Sequence, residues 1–294
     1  EESPIEESPI EESPIEESPI EESPIEESPI EESPIEESPI EDSFLFSLDS
    51  NQKNLDGLNI SKNDIVQFDG NDFSLLFDGS DVAAEKNIDA FDMISDTEIL
   101  MSFNSSFVLD GVGEVSNADI LKFTSTSLGS NTAGIFEIYL DGSDLGLSGR
   151  AGNIDGLTQV SNGDLLISIS GKKSLSDVGK VRDEDILRLT PTTTGDDTKG
   201  SWSMYLDGSN VGLKAYSENI DALSLNDSGD LFLSTHGDFD VTTVAGANED
   251  ILVYTPSSST TGTYSSELLF EGAQFGLSSN DISAIDISIN LTGI

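Results

Sequence analysis

The 294-residue chain contains 57 aspartate and glutamate residues against 12 lysine and arginine residues, a net charge of −45. A negative field of this strength repels nucleic acid and anionic lipid surfaces, so neither is expected as a partner. The absence of cysteine excludes disulfides and thiolate metal sites, and no apolar run reaches the roughly 18 residues needed to cross a bilayer.

The acidic excess supports two interpretations. Clustered carboxylates attract divalent cations, and a compact domain gains stability when calcium neutralises them. Alternatively, the charge only keeps the protein in solution. Composition alone leaves both open.

Residues 1–40 are eight identical copies of the pentapeptide Glu-Glu-Ser-Pro-Ile. Proline at every fifth position prevents a helix, and a five-residue period does not match the two-residue alternation of a strand. We therefore expect an extended, polyproline-like arm that reaches roughly 120 Å at about 3.1 Å per residue. Eight identical units suggest a regularly repeating neighbour, as in a fibre; a flexible stalk or wall-spacing linker is the alternative.

Two further expectations concern the exported chain. Serines that precede proline in an exposed extended segment, such as Ser3 and Ser8, are candidate O-glycosylation sites. Because Glu1 is not a translation start, we expect a processed or truncated form whose export signal has been removed, and hence an extracellular or cell-surface protein.

Residues 41–294 contain four repeats, each with four short apolar runs. One run follows an aspartate in an Asp-Ile pattern, one ends in a Leu-Asp-Gly-like turn, one follows an Asn-Ile-Asp pattern, and one is a plain apolar segment. The Asp-Ile runs begin near Asp64, Asp119, Asp185 and Asp250, and the runs that end in a Leu-Asp-Gly-like turn begin near residues 73, 135, 202 and 267. The runs of the Asn-Ile-Asp pattern begin near Asn87, Asn153, Asn219 and Asp281, and the plain apolar segments begin near residues 99, 165, 231 and 44. Runs of this length, bounded by Gly, Asn, Asp and Ser, predict antiparallel strands.

The order of the runs predicts the architecture. The last repeat ends after the strand that begins at Ile282, and Phe44–Leu48 supplies the strand that would follow it. This split predicts an all-β, four-bladed β-propeller over residues 41–294, closed by N- and C-terminal strands in one blade. Within each blade we expect the Asn-Ile-Asp strand to be innermost. An open solenoid or a β-sandwich is the alternative.

The segments NIDA, GDLFLST, EDILVYTP and LDGSNVGL together resemble repeats of large secreted bacterial proteins of uncharacterised function. More loosely, they are similar to blades of NHL and SMP-30-type propellers. The resemblance covers nearly all of residues 41–294 and implies a propeller in an extracellular setting. SMP-30-type enzymes hold a metal through Glu, Asn and Asp in the central channel, and no single matching set stands out in this sequence.

Aspartates are the candidate metal ligands. Antiparallel neighbours bring the starts of the first and third strands of each blade to one face, so the repeated aspartates should gather there. We expect three near the channel mouth (Asp89, Asp155 and Asp221), four further out (Asp64, Asp119, Asp185 and Asp250), and Asp141 and Asp144 at a blade joint. Oxygen ligands beside tight turns suit calcium, while capping of those turns by the same aspartates is the alternative. Ser283 replaces the third-run aspartate in the last repeat, so an intact four-fold site is not expected.

Residues for catalysis are scarce. His236 is the only histidine, no Gly-x-Ser-x-Gly pattern occurs, and the setting of His236 after a strand predicts a surface-loop residue. We therefore expect no enzymatic activity. Four Asn-x-Ser/Thr sequons could carry glycans, at Asn59, Asn104, Asn226 and Asn290.

The leading hypothesis is a non-enzymatic extracellular structural protein, a self-assembling subunit of a surface fibre in which the arm joins or spaces the subunits. A second hypothesis is a calcium-dependent adhesion propeller on a flexible stalk, which would bind a glycan or a protein. A third, weaker one is a metal-dependent hydrolase similar to SMP-30-type enzymes.

Overall fold

A computed structural model describes residues 43–287. The predicted arm, with Ser3 and Ser8, and the sequon at Asn290 lie outside this range. The described chain forms four antiparallel sheets of four principal strands each, with helix confined to single turns. The prediction of an all-β, four-bladed arrangement is confirmed.

Strands are numbered along the chain, and each blade is given from its innermost strand outward. Blade 1 combines both ends of the described chain: β25 (Ile282–Asp286), β1 (Phe44–Leu48), β4 (Ile65–Phe68) and β5 (Phe73–Phe77). Blade 2 contains β6 (Ile88–Ser95), β7 (Glu98–Phe103), β10 (Ile120–Ser127) and β11 (Ala133–Leu140). Blade 3 contains β12 (Ile154–Gln159), β13 (Leu165–Ile169), β16 (Ile186–Thr193) and β17 (Lys199–Leu206). Blade 4 contains β18 (Ile220–Leu225), β19 (Leu231–Thr235), β22 (Asp250–Ser258) and an outer strand in two parts, β23 (Thr261–Tyr264) and β24 (Phe270–Glu271).

A small two-stranded hairpin joins the second and third strands of every blade, a feature that the repeat pattern did not predict. These hairpins are β2–β3 (Gln52–Leu55, Leu58–Ile60), β8–β9 (Phe107–Leu109, Gly113–Val115), β14–β15 (Lys173–Leu175, Gly179–Val181) and β20–β21 (Phe239–Asp240, Ala245–Gly246). Short helical turns follow each outer strand or precede an inner one: Gly79–Val82, Gly142–Leu145, Arg150–Gly152, Gly208–Val211, Tyr216–Glu218 and Gly272–Phe275. No helix within residues 43–287 is long and apolar enough to span a bilayer.

The hydrophobic core is divided among the seams between successive blades. Each of its four clusters takes side chains from two neighbouring blades, as where Leu100 and Leu140 of blade 2 pack with Leu157 and Leu187 of blade 3. Because a blade is covered on both faces, its second strand is apolar at successive positions, and every residue of Leu165–Ile169 is buried.

The seam between blades 4 and 1, where the two chain ends meet, is filled by phenylalanines. Phe270 stacks on Phe275 with ring centroids 4.9 Å apart and meets Phe44 edge to face at 5.2 Å. Aromatic pairs in these geometries stabilise a core beyond their area of contact.

The innermost strands surround a common axis, and polar side chains link neighbouring inner strands toward their C-terminal ends. The Oδ2 of Asp92 in β6 accepts the backbone N–H of Gln159 in β12 at 3.1 Å, and Asp286 in β25 accepts that of Met93 in β6 at 2.8 Å. Ser224 in β18 accepts the N–H of Ile287 at 3.1 Å. Inner-strand N–H groups that no sheet partner takes are thereby satisfied, which fixes the angle between blades.

Candidate functional site

A cavity of about 530 Å³ opens at one end of the axis, where the inner strands begin. Each inner strand contributes a pair of polar side chains two residues apart. The pairs are Asn87 with Asp89, Asn153 with Asp155, Asn219 with Asp221, and Asp281 with Ser283. The aspartates expected at the channel mouth therefore do line one cavity; their role as metal ligands stays a prediction.

The asparagines join neighbouring blades. The Nδ2 of Asn153 donates to Oδ2 of Asp89 in the preceding blade at 2.5 Å, and also to its own blade's Asp155. The Nδ2 of Asn219 donates in the same direction, to Oδ2 of Asp155 at 3.2 Å. With the amide nitrogens facing aspartates, the amide oxygens are left for another partner.

Five side-chain oxygens at this end of the axis are buried and have no hydrogen-bond donor among the described residues. They are Oδ1 of Asn87, Asn153, Asn219, Asp221 and Asp281. A buried acceptor without a partner costs about 1–3 kcal/mol, and native proteins rarely leave several in one place. Each offers an oxygen lone pair, which is the kind of ligand that a hard cation takes.

Burial raises the pKa of every carboxyl group in this cluster. The pKa of Asp89 rises to about 6. The pKa of Asp281 rises to about 7, through burial and then the neighbouring charge of Asp49. The pKa values of Asp155 and Asp221 lie well above the usual range, through burial and then the charges of Asp89 and Asp281 respectively. Four carboxyls held this close resist simultaneous ionisation unless a positive charge lies among them.

His236 lies beside this cluster. Its Nδ1 is 3.3 Å from Oδ2 of Asp281 and 3.9 Å from Oδ2 of Asp221, and the ligand atoms of these three residues lie within 4.8 Å of one another. His236 is exposed, as expected of a surface loop, but its approach to Asp221 of its own blade and to Asp281 across a seam was not predicted. Two carboxylates and one imidazole form a set of ligands that several divalent cations accept.

The outer aspartates are engaged by backbone N–H groups. Asp119 accepts from the N–H of Ser116 at 2.8 Å through Oδ2 and from that of Gly142 at 3.1 Å through Oδ1. The same pair of bonds occurs at Asp64, Asp185 and Asp250, one in each blade. Each aspartate thus ties the start of a third strand to the turn after the fourth. These four do not come together, and their geometry is that of turn-capping groups.

Asp141 and Asp144 lie at the joint between blades 2 and 3. Oδ1 of Asp141 accepts the N–H of Ser143 at 2.9 Å, and Oδ2 of Asp144 accepts the N–H of Thr198 in the next blade at 2.9 Å. The hydroxyl of Thr198 in turn accepts the N–H of Asp141 at 2.9 Å. This reciprocal pair holds two blades together.

Three sequons lie within the described range. Asn59 is exposed on β3, and Asn104 is exposed at the cavity mouth. Asn226 is partly buried in a turn, where its side chain bonds to Asp230 through both amide atoms.

Comparison of the chain with known proteins finds similarity among solved structures alone. No family model matches it, and no curated protein matches it. Among solved structures, it is similar to a catalytically inactive virginiamycin B lyase from Staphylococcus aureus, solved with quinupristin, at 15% identity over 77% of this chain and 56% of that one, with a TM-score of 0.29. It is similar to YCF48 from Cyanidioschyzon merolae at 16% identity over 78% and 58% of the two chains, with a TM-score of 0.30. The extracellular domain of the one-component system BT4673 from B. thetaiotaomicron matches at 12% identity over 75% and 33%, with a TM-score of 0.29. The chain spans between a third and three fifths of these structures, and at such scores the likeness carries no argument about activity or ligand.

Proposed function

We propose that residues 41–294 are a closed, calcium-binding propeller that acts as a non-enzymatic, extracellular ligand-binding domain. The observation that carries this proposal is the group of five buried oxygens without donors, which includes Oδ1 of Asp221 and Oδ1 of Asp281. Calcium takes six to eight oxygen ligands at about 2.3–2.6 Å, and the neighbouring carboxylates of Asp221 and Asp281 would supply the first of them.

Asp221 and Asp281 are the residues expected to hold the ion, with His236 beside them and the amide oxygen of Asn219 on the same inner strand as Asp221. Bound calcium would neutralise the two carboxylates and so remove the electrostatic cost of burying them together. It would also present open coordination positions to a ligand entering the cavity.

The proposal is tested by titrating the full 294-residue chain with calcium in a calorimeter. We expect stoichiometric binding that is lost in the Asp221→Asn, Asp281→Asn double variant and kept in Asp144→Asn, a matched change at the blade joint. Equal loss in both variants would contradict an axial site, and absence of binding in the unchanged protein would remove the proposal.

The cavity also bears on the hydrolase hypothesis, because a carboxylate–histidine set can activate water around a metal. Metal-dependent turnover of ester or lactone substrates, lost in Asp155→Ala or Asp221→Ala, would favour that hypothesis over a binding domain. We expect no such turnover.

The fibre hypothesis has its own support, the perfect repetition of one pentapeptide eight times over residues 1–40. A sequence constrained this strictly suits an arm that meets a periodic neighbour. Electron microscopy of native material and of residues 41–294, each with and without calcium, tests it. Filaments in the native sample alone would make the arm an assembly element, whereas isolated globules in both samples would leave a stalked binding domain.

A further inference from the structure

The segments that lead into the inner strands around the axial cavity differ in length. The segments that precede the inner strands of blades 3 and 4 are residues 148–152 and 214–218, and each forms a short helical turn. The corresponding segments in the other two blades are shorter, residues 85–86 and 278–280. The longer segments contribute Arg150 and Tyr216 to the lining of the cavity.

Tyr216 presents an aromatic ring to solvent at this mouth. It is 80% exposed, the only aromatic side chain among the large exposed hydrophobic residues of the described chain. Its ring meets His236 edge to face, with centroids 6.3 Å apart and an interplanar angle of 85°. A phenol has an apolar face and a polar edge, so it can contact ligands that have both apolar and polar surfaces.

The charges around the cavity disfavour an anionic ligand. Five carboxyl groups line it (Asp49, Asp89, Asp155, Asp221 and Asp281), against Arg150 and His236 as the only basic side chains in the lining. With one calcium ion bound, the summed charge of the five carboxylates, the two basic side chains and the ion would still be negative. A neutral ligand avoids the repulsion.

The lining also specifies the polarity that a ligand needs. Asn104 and Asn117, neither of them buried, also line the cavity and offer side-chain amide oxygens as acceptors. Hydroxyl groups supply donors to such oxygens and can coordinate calcium through their own oxygens. The volume of about 530 Å³ is within the range of small-ligand sites, about 300–1,000 Å³.

Building on the calcium site proposed above, we propose that this cavity binds neutral, polyhydroxylated carbohydrate. Hydroxyls complete the coordination of the calcium ion and donate to the amide oxygens of Asn104 and Asn117, while the C–H face of a sugar ring stacks on Tyr216. Phosphorylated and uronic-acid ligands are excluded by the surrounding carboxylates.

The test applies the full chain, with saturating calcium, to an array of immobilised neutral and acidic glycans. We expect binding to neutral glycans that disappears with EDTA. For the best neutral glycan, Tyr216→Ala should weaken binding about tenfold, equivalent to roughly 1.4 kcal/mol, while Tyr216→Phe keeps it within about threefold. Ile135→Ala, which removes an exposed apolar side chain from the outer strand of blade 2, is the matched control and should bind normally.

The calcium affinity of each variant separates the possible failures. Calcium binding without any glycan binding, or with acidic glycans alone, overturns the carbohydrate proposal and leaves the calcium site intact. Equal loss in Tyr216→Ala and Ile135→Ala overturns it as well. Failure to bind calcium removes the site proposed earlier, and the carbohydrate proposal with it.

Discussion

The side-chain amide of Asn153 bridges two blades, because its Nδ2 lies 2.5 Å from Oδ2 of Asp89 in blade 2 while its backbone leads into blade 3. Asn219 repeats the arrangement one blade further on, with Asp155 as the acceptor. The candidate site is thus assembled across seams, and no single blade contains it. Its chemistry depends on how the blades are held together, which the following predictions address.

Calcium should stabilise the fold. A ligand that binds only the native state adds about 2.7 kcal/mol to the free energy of unfolding at a hundredfold excess over its Kd. We expect EDTA to lower Tm and calcium to restore it, as measured by calorimetry on the full chain. The Asp221→Asn, Asp281→Asn double variant should no longer respond to calcium. A response of unchanged size in that variant would place the ion elsewhere.

Asp119→Ala should destabilise blade 2 without weakening calcium binding. The carboxylate of Asp119 accepts the N–H groups of Ser116 and Gly142, and its removal leaves two buried donors unsatisfied. We expect a loss of about 2–4 kcal/mol in urea unfolding. Asp110→Ala, at an exposed aspartate in the nearby hairpin, is the control and should change little. A large fall in calcium affinity in Asp119→Ala would instead identify Asp119 as a ligand.

Asp92→Asn should reduce the dependence of stability on pH. Burial, followed by the charge of Asp286, raises the pKa of Asp92 well above its usual range. The native state therefore keeps a proton that the unfolded chain releases above about pH 4, and this contribution to stability is lost as the pH rises. An amide at this position does not titrate. We would measure the free energy of unfolding in urea between about pH 5 and pH 8. Its slope against pH should become less negative in the variant by up to about 1.4 kcal/mol per pH unit.

The matched change Asp110→Asn removes an exposed carboxyl and should leave that slope unaltered. A slope in Asp92→Asn equal to that of the unchanged protein would mean that Asp92 is ionised throughout this range.

Thr198→Val should loosen the seam between blades 2 and 3. The threonine hydroxyl accepts the N–H of Asp141 at 2.9 Å and donates to the carbonyl of Gly195 at 2.6 Å, and valine can do neither. We expect a loss of about 1–3 kcal/mol by urea unfolding, and faster amide exchange at Asp141. Thr194→Val, an exposed change in the same turn, serves as the comparison. Equal effects of the two substitutions would argue against a seam bond.

The blade pattern could be predicted from the sequence because it rests on local properties. Runs such as Leu165–Ile169 are short, apolar and bounded by turn residues, and their repetition sets the strand order. Once the strand order is known, it also follows which strand ends lie on the same face of the propeller. That is why Asp89, Asp155 and Asp221, each one residue into an inner strand, could be placed together at the channel mouth.

Two residues of the candidate site escaped the sequence analysis for different reasons. Asp281 stands where the other repeats have asparagine, so attention to the aspartate position found only Ser283. The repeats do align Asp281 with Asn87, Asn153 and Asn219, but the asparagine position was not considered as a source of ligands. The position of His236 depends on how a loop of blade 4 lies against the first strand of blade 1, and contacts between distant segments leave no periodic signal in the sequence.

Strand β1 lies between β25 and β4, so the first described strand is hydrogen-bonded on both sides rather than exposed at a sheet edge. A pull ahead of Phe44 that is directed along β1 would load both ladders in shear, so that many hydrogen bonds must break together. A strand at an edge would peel away one bond at a time. The domain is therefore mechanically suited to bear tension that enters from its N-terminal side.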